Sequence, residues 1–508
     1  MRIEKIIRNL NFISLNVPEP LRGREIVSLC QNSRQAHPTC LFFCKRGALT
    51  DGHKYARHAY DNGARFFVVE HEVDLPSDAA IITVSDSGEA LRCISPIFYD
   101  HPAEELRLIG ITGTKGKTTV ALSVYNIARA QGVNIGYIGT NGVLYGDHHY
   151  ETANTTPDCL ELQRTFREMR ECGVTDVVLE VSSQALWQKR THGLKFDICA
   201  FTNLYEDHIG GVEHPDMEHY RNCKKLLFSD HSAKNIVINA DSPDAKFMID
   251  GVECENIITT SANGDECCDI FATNSAKQKR GVSPGISFDV HFGNESSIYC
   301  ERERLGAFIP IPGQYSVENG LLTVAICSLM DLDPCETVNE MNYLSVSGRF
   351  ETVELESKPN SLFVIDYAHN GASLTAVLNS LREYEPARII ALFGSVGGRT
   401  FIRREELAKS AEAGADIIII TSDNPNNENP MDVISEINSH ISDKNKPVYL
   451  IPDRKKAIEK AYEIAEDGDF VLLAGKGHED YQLIMGEKVP FSEKNILKKL
   501  DALNISYI

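Results

Sequence analysis

The chain has no cluster of lysines and arginines, no apolar run of membrane length and no cysteine framework, and each absence removes a class of function. A net charge of −21 over 508 residues, with no basic patch, excludes a nucleic-acid-binding surface, because affinity for a polyanion is assembled from clustered Lys and Arg. A small anionic substrate remains open, since a local basic site fits in an acidic protein. Apolar runs such as residues 416–421 (DIIIIT) are strand length, so no membrane insertion is expected. The N-terminus, MRIEKIIRNLNF, alternates charges with isoleucines and lacks the continuous apolar stretch of a signal peptide. The 14 cysteines, among them Cys40 and Cys44 around LFF and the adjacent Cys267 and Cys268, lack disulfide-framework or metal-ligand spacing. They read as reduced thiols of a cytoplasmic protein. What is present, 42% hydrophobic and 24% charged residues, is the composition of an ordinary enzyme. The length is too great for one core and implies about two to four domains.

Residues 106–119, LRLIGITGTKGKTT, read as a strand, a phosphate-cradling loop and the first turn of a helix. Gly113 and Gly116 let the backbone approach a polyphosphate, Lys117 supplies a point charge, and the N–H groups opening the helix face anion oxygens. Thr118 stands where a Mg²⁺-binding hydroxyl is expected. The spacing is a variant, with Gly110 one residue before the position, held by Ile111, where the standard loop has glycine. No guanine-reading Asn/Thr-Lys-x-Asp stretch occurs, which argues against a GTPase.

Residues 1–103 read as a small α/β unit with strands at 41–44 and 65–69 around a helix at about 52–62. From 106 onward strand and helix alternate: a helix at 118–130, a strand at 134–138, the loop NTTPD at 154–158, a helix at 159–172 and a strand at 174–181 running into Ser182. Open parallel sheets collect ligands at the carboxyl ends of their strands, which puts Glu180 and Ser182 on the side of the phosphate loop. The run DICAFTNLYEDHIGG ends in Asp207-His208, and Glu180 and His208 are candidate Mg²⁺-side groups. Residues 254–303 are polar and irregular and read as an insertion of hairpin-like strands. Residues 313–330 open a helix that buries Leu321, Leu322, Ala325 and Ile326, with Asn319 nearby. From VSGRFE (346–351) a last unit begins. Its apolar runs end in Asp366-Tyr367-Ala368-His369, GSVGGR up to Arg399, SDNPNNENP and AGKGHEDY. Alternation of this kind implies a parallel, doubly wound sheet, and four polar loops at its strand ends imply a binding crevice.

In this order, GITGTKGKTT, NTTPD, EVSS, FTNLYEDH, HYRNCKKLLF, GRFE, DYAHN, DNPN and GKGHEDY resemble the Mur ligases. The likeness is greatest to the branch that adds the third amino acid to the peptidoglycan precursor. GTKGKTT with DYAH marks the wider superfamily, which includes folylpolyglutamate synthase, whereas DNP with GKGHEDY is more specific. The resemblance covers nearly the whole chain and implies an α/β protein of three domains. A small N-terminal α/β domain (1–103) binds the uridine nucleotide. A central P-loop ATPase-like parallel sheet (104–345) binds ATP, and a C-terminal Rossmann-like α/β domain (346–508) binds the incoming amino acid. The implied enzyme is a monomeric, ATP-dependent amide ligase. The carboxylate of a UDP-muramoyl-dipeptide takes the γ-phosphoryl group of ATP, and the amine of a free amino acid then displaces phosphate.

The resemblance assigns Gly113, Thr114, Lys115, Gly116, Lys117, Thr118 and Thr119 to ATP phosphates, and Asn319, Arg349 and Asp366 to the adenine, γ-phosphate and ribose sides. It assigns Thr118, Glu180, His208 and Lys224 to Mg²⁺, with Lys117, Glu180, His208 and Lys224 as the catalytic set. Lys224 matches a lysine that the family carbamylates; the residues alone read Lys224-Lys225 as two solvated helix lysines. Ser33, Thr155, Thr156, Ser182, Gln188 and Arg190 match positions holding the uridine nucleotide and its peptide arm. Arg399, Asp423, Asn424, Asn426, Gly475 and Glu479 match the acceptor pocket. The chain departs from the family at Gln184, where histidine is usual, at NLYEDHIGGVEHPD in place of DHLDYHG, and at SVGGR in place of CGGDR. At DNPN, Asn426 replaces an arginine that grips the distal carboxylate of diaminopimelate, and an amide cannot make that bidentate ion pair. L-lysine is therefore the first expectation for the acceptor, with meso-diaminopimelate, another amino acid or a specialised paralogue as alternatives. A non-catalytic binding paralogue is countered by the intact Lys117, Thr118, Glu180, His208 and Lys224.

Overall fold

The computed structural model describes the chain except residues 48–49, 207–208, 211–212, 232, 294–295, 297, 299, 399–401 and 506–508, and the side chain at 402. Its internal contacts divide it into two units. The first comprises Met1–Thr114, Gly132–Ile236 and Asp244–Ile257, and the second Lys115–Gln131, Val237–Pro243 and Ile258–Ile508.

The first unit holds two sheets. Strands β1 (Phe12–Asn16), β2 (Ser28–Cys30), β3 (Cys40–Phe43), β4 (Phe66–Val69) and β5 (Ala80–Val84) form one, in the order β1-β5-β4-β3-β2. All neighbours are parallel except β1 with β5. CLFF and FFVV are buried throughout, as strands covered on both faces must be. The core around Leu41, Phe43, Phe66 and Leu91 also takes in Cys159 and Leu160, so the N-terminal α/β layer packs on the helix Cys159–Glu171.

The second sheet of this unit contains β6 (Arg107–Thr112), β7 (Ile135–Gly139), β8 (Gly142–Tyr145), β9 (His148–Tyr150), β10 (Asp176–Glu180) and β11 (Ile198–Phe201), ordered β11-β6-β10-β7-β8-β9. The four inner strands are parallel, as expected. The antiparallel strands β8 and β9 were not anticipated, and their short, partly exposed segments carry too little apolar pattern to announce them. Register places Glu180 opposite Ile111 and Phe201 opposite Thr112, so three strands end level with the start of the phosphate loop. The displaced glycine has a packing reason: a Cβ on Gly110 would lie 2.9 Å from the Phe196 ring and 3.2 Å from Leu227.

In the second unit the helix Lys117–Ala130 lies against the helix Gln314–Leu329. The hairpin-like strands expected in 254–303 are present, and they are longer and more regular than the polar sequence suggests. Ile270–Arg280 and Ser283–Phe292 form a long antiparallel hairpin that continues to Arg304–Ile309. Its polarity comes from the exposed outer half of the first strand. The C-terminal sheet runs Glu351–Val353, Leu362–Asp366, Phe470–Ala474, Ile389–Phe393, Ile417–Ile420, Val448–Leu450. It is parallel except for its first strand. All 14 cysteines are free thiols. Among the described residues no helix is long and apolar enough to cross a membrane.

Candidate active site

The loop after β6 is held from below. The Thr114 amide donates to Asn203 O at 2.9 Å, and its hydroxyl lies 3.1 Å from the Tyr220 hydroxyl and accepts from Tyr205 N at 3.0 Å. Lys224, on the helix Met217–Ser229, is 1% exposed. Its ammonium donates to Gly113 O at 2.7 Å and stands 4.4 Å from the Tyr220 ring centroid. The reading of Lys224 as a solvated lysine is therefore wrong, because the helix turns this one lysine inward. In the second unit Gly116 (φ +85°) precedes the helix Lys117–Ala130, and a Cβ there would meet Asn319 Oδ1 at 2.4 Å. Asn319 thus presses on the opening of that helix, where Thr118 is buried, Lys117 and Thr119 are half-buried and Lys115 is exposed.

Glu180, fully buried at the end of β10, organises the first unit's polar cluster. Tyr137 Oη donates to its carboxylate at 2.6 Å, Thr140 N at 2.9 Å and Thr140 Oγ1 at 3.2 Å. Thr155 Oγ1 lies 3.3 Å from Thr140 Oγ1. Thr156 Oγ1 donates to Glu180 O at 2.8 Å and accepts from Ser182 N at 3.0 Å. Arg190 donates to Thr156 O at 2.8 Å and forks onto Gln188 Oε1. Five of the expected peptide-arm residues are thereby gathered beside Glu180. Ser33 is apart, its hydroxyl 2.9 Å from His58 Nδ1 and its carbonyl accepting from Asn62. Two residues earlier, Gln31 donates to Asp158 of NTTPD, tying the N-terminal layer to that loop.

In the second unit Lys476, wholly buried, is the centre of the residues expected to bind the acceptor. It donates to Glu479 at 2.6 Å and to Asn424 Oδ1 at 2.8 Å, and lies 3.9 Å from Asp423. Asn424 Nδ2 donates to Glu479 at 3.0 Å. Burial pushes the Asp423 carboxyl above its ordinary value, opposed by Arg454 and Lys476. Arg454, also buried, pairs with Glu493 at 2.9 Å and donates to Ala474 O at 2.8 Å. Asp366 accepts from Phe350 N at 2.7 Å and Ala368 N at 2.8 Å, and Gly475 N donates to Asp366 O at 3.0 Å. Burial raises the Asp366 carboxyl, while the Arg349 guanidinium and those two amides pull it down. Arg349 also stands 4.8 Å from the Tyr367 ring centroid. A glycine seam joins GRFE, DYAH and GKGHE. A Cβ on Gly348 would lie 2.0 Å from His478 N, and one on Gly477 2.7 Å from Tyr367 Cβ. Asn426, with φ +52°, donates its side chain to Gly397 O at 2.9 Å.

Three family models match along the chain: Mur ligase family, catalytic domain, over 25–102; Mur ligase middle domain over 111–327; and Mur ligase, glutamate ligase domain, over 348–477. The UDP-N-acetylmuramoyl-L-alanyl-D-glutamate–2,6-diaminopimelate ligase of Clostridium botulinum (strain ATCC 19397 / Type A) is 35% identical over 505 residues, covering 98% of this chain and 99% of that protein. The chain belongs to the Mur ligase family. The enzyme of the same name from Bacillus licheniformis is 36% identical over 511 residues, covering 98% of this chain and 99% of that protein. A solved structure of a ligase of that name superposes with a TM-score of 0.66 at 25% identity, covering 100% of this chain and 99% of the other.

This Mur ligase is an ATP-dependent amide ligase with the three-domain α/β architecture of its family. The names of these relatives carry diaminopimelate, so the expectation of lysine finds no support in them. His208 and Arg399, expected at the metal and the acceptor, lie outside the described residues. Of the residues expected at Mg²⁺, Thr118 in the second unit offers a hydroxyl and Glu180 in the first a carboxylate, both of the hard oxygen type that this ion takes. Sequence reasoning missed Tyr137, Thr140, His58, Arg454 and Lys476. Lys476 was the most accessible of these, since it lies inside GKGHE between two residues that were singled out. Tyr137 lies within the strand expected at 134–138, and nothing in that run singles out its hydroxyl.

Proposed function

We propose that this Mur ligase adds the third amino acid to UDP-N-acetylmuramoyl-L-alanyl-D-glutamate, as a cytoplasmic monomer divided near 1–103, 104–345 and 346–508. The gathering of Thr155, Thr156, Ser182, Gln188 and Arg190 beside Glu180 carries the reading. Hydroxyls and a guanidinium fork suit a carboxylate-bearing, pyrophosphate-linked substrate. Lys117 neutralises charge on the phosphoryl group moving from ATP to the D-glutamate carboxylate. The amine of the acceptor then attacks the acyl phosphate, the C–N bond forms, phosphate leaves and the amine loses a proton. Asn319, Arg349 and Asp366 orient the nucleotide, and Ser33 holds the uridine side.

Thr118, Glu180, His208 and a carbamylated Lys224 would hold Mg²⁺, which supplies charge neutralisation on phosphate oxygens when bound. Carbamylation joins the neutral Lys224 amine to CO₂ with release of one proton. The remaining N–H can still donate to Gly113 O, so the contact observed for the amine survives the modification.

For the acceptor, 2,6-diaminopimelate is the first reading, supported by relatives that match 98% of the chain. L-lysine is the second, favoured by Asn426, whose uncharged side chain is turned to Gly397 O and offers no ion pair to a distal carboxylate. Phosphate release measured with UDP-muramoyl-dipeptide and each amino acid tests both. Dipeptide-dependent turnover with kcat/KM at least ~10-fold higher for meso-diaminopimelate is expected. The reverse ratio makes lysine the acceptor, and no turnover with any amino acid overturns the proposal.

A further inference from the structure

Among the described residues, two groups of side chains bring metal-ligating atoms within 4.8 Å of one another. In the group Asp51, His53 and His71, both ring nitrogens of His53 are engaged: Nδ1 lies 2.6 Å from Asp51 Oδ1, and Nε2 accepts from Glu70 N at 2.9 Å. That imidazole is a structural link and offers no ligand.

His214, His219 and Cys223 are arranged differently. His219 and Cys223 are four residues apart on the helix Met217–Ser229 and so share one face. Asp216 accepts from His219 N at 2.7 Å and fixes the start of that helix. Nδ1 of His214 and Nδ1 of His219 are 2.9 Å apart, and Cys223 Sγ lies 3.7 Å from His219 Nδ1. Two imidazole nitrogens this close need a proton or a cation between them. A tetrahedral ion with metal–nitrogen bonds of about 2.05 Å and a metal–sulfur bond of about 2.3 Å sets N···N near 3.3 Å and N···S near 3.6 Å. The His214–His219 and His219–Cys223 separations lie within a few tenths of an ångström of those values, and the donor atoms of His214 and Cys223 lie within 4.8 Å of each other. His214 Nε2 lies 2.9 Å from Ser183 Oγ, an outer partner of the kind that orients a metal-bound imidazole. His214 and Cys223 are buried, and the Trp187 ring meets His219 edge-on at 5.2 Å, covering the group.

We propose that His214, His219 and Cys223 form a binding site for a divalent cation of the zinc class, with water as the fourth ligand. One thiolate and two imidazoles are borderline-soft donors that select Zn²⁺ or Co²⁺, whereas the Thr118 and Glu180 oxygens suit Mg²⁺. On binding, the Cys223 S–H bond breaks, a sulfur–metal bond forms and the proton passes to solvent. The ion clips the segment carrying His214 to the helix that also carries Lys224.

The single tryptophan makes the test direct, because Trp187 is the chain's only indole and adjoins two of the three ligands. The untagged, chelator-treated full-length chain is titrated with Co²⁺ and with Zn²⁺ in excess Mg²⁺. One Co²⁺ per chain, a thiolate-to-cobalt charge-transfer band and quenching of Trp187 emission are expected. Zn²⁺ should then displace Co²⁺ and abolish the band. Cys223→Ser should lose the band, and His219→Ala should weaken binding at least ~10-fold, with far-UV circular dichroism showing both variants folded. Absence of the charge-transfer band in the unmodified chain, or equal Co²⁺ affinity in the chain and both folded variants, overturns the proposal.

Discussion

Around Glu180 the chain gathers hydroxyls and backbone groups, whereas around Lys476 it gathers charges. The first cluster holds one carboxylate with Tyr137, Thr140 and the backbone amide of residue 140, and Thr156 adds a second layer. In the second, Lys476, Glu479, Asp423, Arg454 and Glu493 are all substantially buried. Burial pushes the Asp423 and Glu493 carboxyls upward, and the neighbouring cations oppose it. A network of neutral donors loses a modest increment with each partner removed. A network of buried charges fails abruptly, because a deleted partner leaves another charge uncompensated. The Lys476 cluster is therefore the less tolerant of the two, and variation is most readily accommodated at a neutral position such as Asn426.

Substitutions at Lys476, Glu479 and Thr156 bear on that contrast. Lys476→Met should cost about 3–5 kcal/mol, read from the shift of the urea unfolding transition, with Lys476→Met/Glu479→Gln recovering part of it. A single-variant loss below about 1 kcal/mol would show that the charges around Lys476 are already well solvated and erase the contrast. Thr156→Val removes a hydroxyl that both donates and accepts, and should cost about 1–2 kcal/mol by the same measurement. A loss equal to that of Lys476→Met would mean that the hydroxyl cluster is as brittle as the ionic one. The smallest effect is a pH dependence in the first unit. Burial lowers the affinity of His231 for a proton, and its ring faces Leu194 O and Thr191. A histidine depressed on folding leaves stability intact above its unfolded value of about 6.5 and erodes it as pH falls toward the folded one. His231→Gln should flatten that part of the stability–pH curve in thermal melts, and an unchanged slope would remove His231 as a contributor.

The phosphate loop was readable because few residue types serve its backbone, and the ends of β6, β10 and β11 followed from alternation of strand and helix. Long-range pairing was less accessible. The strands β8 and β9 owe their order to neighbours, and the hairpin at 270–292 was legible as hairpin-like strands but not in its length, because its exposed residues carry the polarity of loops. Lys224 illustrates the same limit, since adjacent lysines on a helix differ only by the face on which tertiary packing sets each. Lys476 stands between two glycines in the sequence, and only the fold gives it carboxylate and amide partners. The acceptor is the least legible part, since Asn426 points to lysine while the names of relatives that match along nearly the whole chain carry diaminopimelate.

The glycine seam has a practical consequence. At Gly348 and Gly477 the segments GRFE, DYAH and GKGHE approach so closely that no substituent of any size fits between them. A compound designed to block this ligase and spare its relatives gains nothing by probing that seam, where every relative that keeps the approach must present the same bare backbone. Selectivity has to be sought where a side chain is able to vary, and Asn426, anchored to Gly397, is such a handle.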